Sequence, residues 1–308
     1  MANLHKSQSQ TTSGYVGRFA PTPSGPLHFG SLVAALASFL DARTHQGQWL
    51  VRIEDIDPPR CQDGASDHIL RTLEAFGLHW DGSICYQSQQ RQSYLQALAQ
   101  LQQQDLLYPC ICSRSQLQGQ TIYPGNCRDQ STPSEQASAW RIKVPTMELG
   151  FDDLILPAYK ENLAQQVGDF ILQRKDGLFA YQLAVVVDDA HQGITHIIRG
   201  ADLYQQTPRQ VFLQKCLALP TPSYGHIPLI INEAGQKLSK QNLAQAISAS
   251  QGPLLMSQAL QRLGQNLPSE LKGAPVAEQL AWSIAAWERK NVPAFYQDPV
   301  PFLQSPLP

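Results

Sequence analysis

Two separated groups of side chains in this sequence have the types and spacing needed to hold a nucleotide. The first is His28, at the end of Gly17-Arg18-Phe19-Ala20-Pro21-Thr22-Pro23-Ser24-Gly25-Pro26-Leu27 and directly before Phe29-Gly30-Ser31. A histidine just ahead of a helix start can reach an anion held on the free N–H groups there, where the helix end is positive. The second is Lys237-Leu238-Ser239-Lys240, which follows Gly235. Its lysines, flanking a serine after a glycine turn, can close over a polyphosphate. Each group has a plainer reading: a Pro/Gly-rich surface loop with an incidental histidine, and a short lysine string that arises by chance.

Charged residues also gather where strands are expected to end. Glu54, Asp55 and Asp57 precede Pro58 and Pro59, and ligands of open α/β sheets bind outside the carboxyl ends of strands. Glu54 is therefore placed to meet a cation such as an α-amine, or else it is a solvated strand end. Arg199, in Arg199-Gly200-Ala201-Asp202, can form a bidentate pair with a carboxylate ligand, or close its strand by pairing with Asp202.

Cys110-Ile111-Cys112, with Tyr123 and Cys127 beyond, offers three thiolates for a tetrahedral zinc site. No histidine or further cysteine lies nearby, and Tyr123 is the one oxygen donor at suitable spacing. From the chemistry alone, three reduced structural cysteines serve equally well. Cys61, Cys85 and Cys216 read as ordinary buried thiols.

These groups need elements to position them. Tyr15, Val16 and Phe19 suggest a short buried strand. Leu32, Ala35, Leu36, Phe39 and Leu40 then recur at helical spacing, and Gly47 supplies a stop. A second strand is expected over residues 48–55, with Trp49, Val51 and Ile53 on one face. Residues 63–104 read as helical, and residues 140–144 and 151–156 as strands. Residues 168–177 read as a hairpin turning at Asp176-Gly177. Tyr181 precedes 183–187, an apolar run that suits a central parallel strand ending in Asp188 and Asp189. A strand over 194–198, a helix over 208–217 and a strand over 227–231 follow.

Composition sets the outer limits. The 308 residues are 43% hydrophobic with a net charge of −2, which fits a globular protein and gives no global pull toward nucleic acid. No apolar run approaches the roughly 20 residues that cross a membrane. The polar first dozen residues lack a secretion signal, and the six cysteines point to reduced thiols and a cytoplasmic protein.

Together, the Pro-rich loop with His28-Phe29-Gly30-Ser31 and the downstream Lys237-Leu238-Ser239-Lys240 resemble the two signature sequences of class I aminoacyl-tRNA synthetases. The string from Gly168 to Arg199-Gly200 resembles the glutamyl/glutaminyl branch. The resemblance spans residues 14–245, with the motifs in the family's order. One departure is Ser31, where the first signature ends in histidine.

The resemblance implies an α/β fold: a Rossmann-type parallel sheet with an inserted zinc-bearing subdomain and a small helical C-terminal region. With the polar first residues read as a disordered tail (1–13), the chain divides into two halves of the catalytic sheet (14–104 and 176–243), the insertion (105–175) and the helical region (244–308). The resemblance assigns Arg18, Phe19, Ala20, Pro21, Thr22 and Arg199 to the carboxylates of L-glutamate, Glu54 to its α-amine and Tyr181 to the amino-acid pocket. ATP with Mg²⁺ falls to His28, Gly30, Ser31 and Lys237 to Lys240, with His28 and Lys240 stabilising the charge at the α-phosphate.

An ordinary glutamyl-tRNA synthetase carries a large anticodon-binding domain, and the sequence from Lys240 to Pro308 leaves no room for one. That form, together with Cys110, Cys112, Tyr123 and Cys127, resembles the glutamyl-queuosine tRNA(Asp) synthetases, in which tyrosine is the fourth ligand of a structural zinc. The resemblance implies transfer of glutamate to queuosine in the anticodon of tRNA(Asp). A monomer is the expectation, although the sequence itself does not give the oligomeric state. The alternatives are 3′-end glutamylation of a tRNA and a non-catalytic paralogue that binds amino acid or tRNA. Retention of His28, Glu54, Arg199 and Lys240 together argues against the last.

Overall fold

The computed structural model describes residues 14–130, 137–231 and 246–294. The expected N-terminal tail and Lys237-Leu238-Ser239-Lys240 lie outside the described residues. The chain starts with strand β1 (Val16–Phe19), helix α1 (Phe29–Thr44) and strand β2 (Gln48–Ile53). Helix α2 (Ala65–Ala75) leads to β3 (Cys85–Tyr86), and α3 (Arg91–Gln103) follows. Next come β4 (Leu107–Cys110), β5 (Ala139–Ile142), β6 (Glu148–Phe151) and β7 (Tyr159–Asn162). A single turn, α4 (Leu163–Gln166), precedes β8 (Phe170–Gln173). The second half comprises α5 (Tyr181–His191), β9 (His196–Gly200), α6 (Thr207–Cys216) and β10 (Ser223–Ile227). Helices α7 (Gly252–Arg262) and α8 (Val276–Ala286) come last.

β1, β2 and β3 pair in parallel, with Phe19 opposite Val51 and Ile53 opposite Tyr86. β9 and β10 form a second parallel pair, with Arg199 opposite His226. Thr195, just before β9, donates its N–H to Val16 O at 2.9 Å and sets this pair beside β1. The spatial order is therefore β10-β9-β1-β2-β3, and the direction of growth reverses between β1 and β9. That reversal opens a crevice at the strand carboxyl ends, the place where such sheets bind ligands. β4, β5 and β8 form a separate antiparallel sheet, and β6 and β7 a hairpin.

Alternation along β2 sends its side chains to two cores. Trp49, Val51 and Ile53 pack with Leu36 and Leu40 of α1 and with Leu255, Ala259 and Leu280 of the last helices. Leu50 packs on the opposite side, with the core that holds Leu98, Leu183, Val186 and Leu213. No helix among the described residues is long and apolar enough to cross a membrane.

Several expected elements differ. The run 183–187 is not a strand; it lies inside α5, and Leu183, Ala184, Val185 and Val186 are all buried. A helix covered on every side shows no polar face, so its apolar run reads like a buried strand. The helical stretch 63–104 is interrupted at Gly77 and Gly82, both with positive φ, and β3 separates α2 from α3. The strand expected over 227–231 ends at Ile227, because Pro228 has no N–H for a ladder. The strand expected over 48–55 ends at Ile53, and the 151–156 strand gives way after Phe151 to a turn in which Asp153 Oδ1 accepts from Ile155 N and Leu156 N. Cys61, Cys85 and Cys216 are half-buried, not buried. The hairpin is present: Gln173 bridges Phe179, and Gly177 N–H donates to Arg174 O.

Candidate active site

The crevice between β1 and β9 opens into a cleft of about 1070 Å³. Its wall includes Phe19, Ala20, Pro21, Thr22, His28, Gly30, Ser31, Glu54 and Tyr181, all expected from the sequence, and also Arg60, Arg174, Asp202 and Gln206. Arg18 and Arg199 are buried at the same strand ends rather than exposed in that wall.

The loop after β1 is held to the end of β2 by a backbone bond: Glu54 N–H donates to Pro21 O at 3.0 Å. It delivers His28 to the N-cap of α1, where Nδ1 accepts the Ser31 N–H at 3.2 Å. That bond fixes the neutral tautomer with the ring proton on Nε2. Gly30 is glycine for a steric reason, since a Cβ there would sit 3.2 Å from two atoms of the His28 ring.

Asp188 and Asp189, expected at a strand end, instead project from α5 into the sheet. Asp189 Oδ1 accepts from Arg18 Nε at 3.2 Å and from Arg52 Nη2 at 2.7 Å. Asp188 Oδ2 accepts from Gln87 Nε2 at 2.7 Å and from the Tyr94 hydroxyl at 2.8 Å. Burial raises Asp189, and the two guanidiniums more than reverse this, holding its carboxyl below the usual range. One helix thus clamps β1 and β2 through paired buried charges.

Glu54 sits at the open end of this network. Its Oε1 lies 3.9 Å from Arg52 Nη2. Burial pushes its carboxyl up to about 7, against the opposing pull of Arg52 and Arg18. Tyr181, the first residue of α5, lies within electrostatic reach of Glu54, Arg199 and Arg18, and burial raises its phenol. Arg199 donates from Nε to His226 and from Nη2 to Thr207 Oγ1, while its buried Nη1 has no partner among the described residues. The cleft wall thus holds an acid suited to an ammonium, and the end of β9 holds a buried guanidinium that has a nitrogen to spare.

The cysteine cluster lies apart, at the end of β4. The sulfurs of Cys110, Cys112 and Cys127 all lie within 4.8 Å of one another. The Tyr123 hydroxyl is 3.4 Å from Cys110 Sγ and 3.6 Å from Cys112 Sγ. A tetrahedral zinc with Zn–S of about 2.3 Å sets its sulfurs about 3.8 Å apart, so these four donors fit a closed site after small adjustments. The Arg141 guanidinium lies 3.8 Å from the Tyr123 ring centroid, a cation beside an anionic ligand set.

Sequence reasoning missed Arg52, His226, Asp153 and Thr207. A lone histidine inside the apolar run from Tyr224 to Ile231 is a usable signal for His226. Nothing local marks Asp153 or Thr207.

A family model for the catalytic domain of class I tRNA synthetases (E and Q) matches residues 15–270. The chain belongs to this family. Among the synthetases it is similar to the glutamyl-Q tRNA(Asp) synthetase of Thiobacillus denitrificans, 54% identical over 90% of this chain and 95% of that protein. It is also similar to the glutamyl-Q tRNA(Asp) synthetase of Pseudomonas aeruginosa, 52% identical over 92% of this chain and 96% of that protein. Its fold is like that of a glutamate tRNA ligase from Elizabethkingia meningosepticum solved with its amino acid. That likeness has a TM-score of 0.76 and 23% identity, covering 94% of this chain and 67% of the other. Class I synthetases activate an amino acid with ATP and Mg²⁺, and the E and Q members use tRNA as acceptor. A cleft at the switch point of a parallel sheet, with a histidine capping the first helix, suits that chemistry.

Proposed function

We propose that the chain activates L-glutamate with Mg·ATP in the absence of tRNA and then transfers it to queuosine in the anticodon of tRNA(Asp). In the first step a glutamate carboxylate oxygen attacks the α-phosphorus, a glutamyl-adenylate anhydride forms and pyrophosphate leaves. In the second a hydroxyl of the queuosine cyclopentene diol attacks the activated carbonyl, and AMP leaves.

The observation that carries the reading is Glu54 in the cleft wall, with Arg199 buried at the end of β9, in a chain so similar to glutamyl-Q tRNA(Asp) synthetases. Glu54 receives the α-ammonium, Arg199 and the Arg18–Thr22 segment receive carboxylates, and Tyr181 lines the pocket. His28 donates from Nε2 to the α-phosphate. Lys240, within Lys237-Leu238-Ser239-Lys240, offsets the charge that develops there, and Mg²⁺ is held mostly by phosphates and water. Cys110, Cys112, Tyr123 and Cys127 hold a zinc that cross-links the inserted subdomain of residues 105–175, with no open coordination position.

Glutamate-dependent exchange of pyrophosphate into ATP, measured without tRNA, tests the first step. Exchange with glutamate supports the reading; exchange that is absent, or equal with glutamine, removes it.

A further inference from the structure

Arg199 is fixed by a chain of groups that reaches it from outside the parallel sheet. Its Nε–H donates to His226 Nε2 at 3.0 Å, directly across the β9–β10 register. An arginine only donates, so Nε2 carries a lone pair and the imidazole proton sits on Nδ1. That proton points to Asp153 Oδ2 at 2.5 Å. Asp153 is itself held, with Oδ1 accepting from the backbone N–H groups of Ile155 at 2.9 Å, Leu156 at 2.8 Å and His226 at 3.1 Å. It arrives on the segment between β6 and β7, which lies along β10 where Leu154 N–H donates to Tyr224 O at 2.8 Å. The Tyr224 ring lies 5.0 Å from the Arg199 guanidinium.

We propose that Asp153 and His226 are positioning residues for Arg199, holding its guanidinium so that Nη1 meets a carboxylate of the bound glutamate. The proposal rests on the reading that Arg199 binds glutamate. Its logic lies in which acceptors are charged. Arg18 and Arg52 face the carboxylate of Asp189, whereas the His226 and Thr207 acceptors are neutral, so they fix Arg199 without neutralising it. A carboxylate placed directly on Arg199 would satisfy the charge that the substrate needs. His226 acts as a neutral spacer that passes on the orientation set by Asp153 and not its charge. Burial and the nearby Arg199 charge hold the imidazole down at about 4, against the Asp153 bond, so the spacer is neutral across the working range.

The test uses the full chain in glutamate-dependent pyrophosphate exchange, comparing Arg199→Ala, His226→Ala, His226→Gln and Asp153→Asn. His226→Ala and Asp153→Asn are expected to raise the KM for glutamate about tenfold or more. The same two variants should keep kcat within about threefold and leave the KM for ATP unchanged. His226→Gln, whose amide oxygen can accept from Arg199 Nε, should recover most of the loss. In an Arg199→Ala background, His226→Ala should cost kcat/KM nothing further, because its route to the substrate is gone.

A wild-type KM for glutamate in His226→Ala or Asp153→Asn overturns the proposal. So does a loss from His226→Ala that is as large without Arg199 as with it. Should His226→Ala fail to fold, as read by its melting temperature, Asp153→Asn carries the test. An unchanged KM for glutamate in Arg199→Ala overturns the underlying assignment of Arg199 instead.

Discussion

Glu54 Oε1 stands 3.9 Å from Arg52 Nη2, an ion pair too long to be a hydrogen bond. Arg52 spends that nitrogen on Asp189 at 2.7 Å, so burial governs Glu54 and its carboxyl rises to about 7. An ammonium ligand needs the ionised form, which predominates above that value. The KM for glutamate should therefore rise as pH falls below about 7, and the glutamate dependence of Glu54→Gln should lose that inflection. Pyrophosphate exchange across a pH series, at saturating ATP, makes the comparison.

The same group sets a slope in stability. Its folded value lies above the ordinary 4.5, so between the two the native state binds the extra proton and stability falls as pH rises. Urea melts of wild type and Glu54→Gln at several pH values should show this slope only in the wild type.

Asp189 should be the most costly carboxylate to neutralise. Asp189→Asn leaves Arg18 and the fully buried Arg52 without their shared anion. Removing one partner of a buried ion pair costs about 3–5 kcal/mol, readable by chemical denaturation. A loss below about 1 kcal/mol, the range of surface pairs, would contradict the clamp.

The cysteine cluster gives a prediction independent of the cleft. Protein purified without chelators should carry zinc by elemental analysis, and Cys112→Ser should lose it and melt at lower temperature. Tyr123→Phe tests the fourth donor: full zinc occupancy in that variant excludes the phenol as a ligand.

What the sequence shows of this site depends on how local each feature is. The His28 cap, Gly30 and the hairpin at Asp176-Gly177 were legible because each is decided by neighbouring residues. The cysteine and tyrosine spacing was legible for the same reason, and the four side chains do converge. Helix α5 was misread because tertiary burial on all sides removed its amphipathic signature. The Asp153–His226 bond joins residues 73 apart, and no local pattern encodes such a contact. Lys237 to Lys240 lie outside the described residues, and their assignment to ATP rests on the resemblance of their sequence to the family signature.

If Lys240 acts as proposed, on charge that develops in the transition state, Lys240→Ala should lower kcat of pyrophosphate exchange far more than it raises the KM for glutamate. An unchanged exchange rate would remove this lysine from the mechanism.

The acceptor is tested by locating the label. Labelled glutamate and Mg·ATP are incubated with tRNA(Asp) from cells that make queuosine and from cells that cannot. Label should enter only the queuosine-containing tRNA and leave with the anticodon loop when that loop is cut away. Equal labelling of the two tRNAs, or label retained at the 3′ end after the loop is removed, would contradict the account.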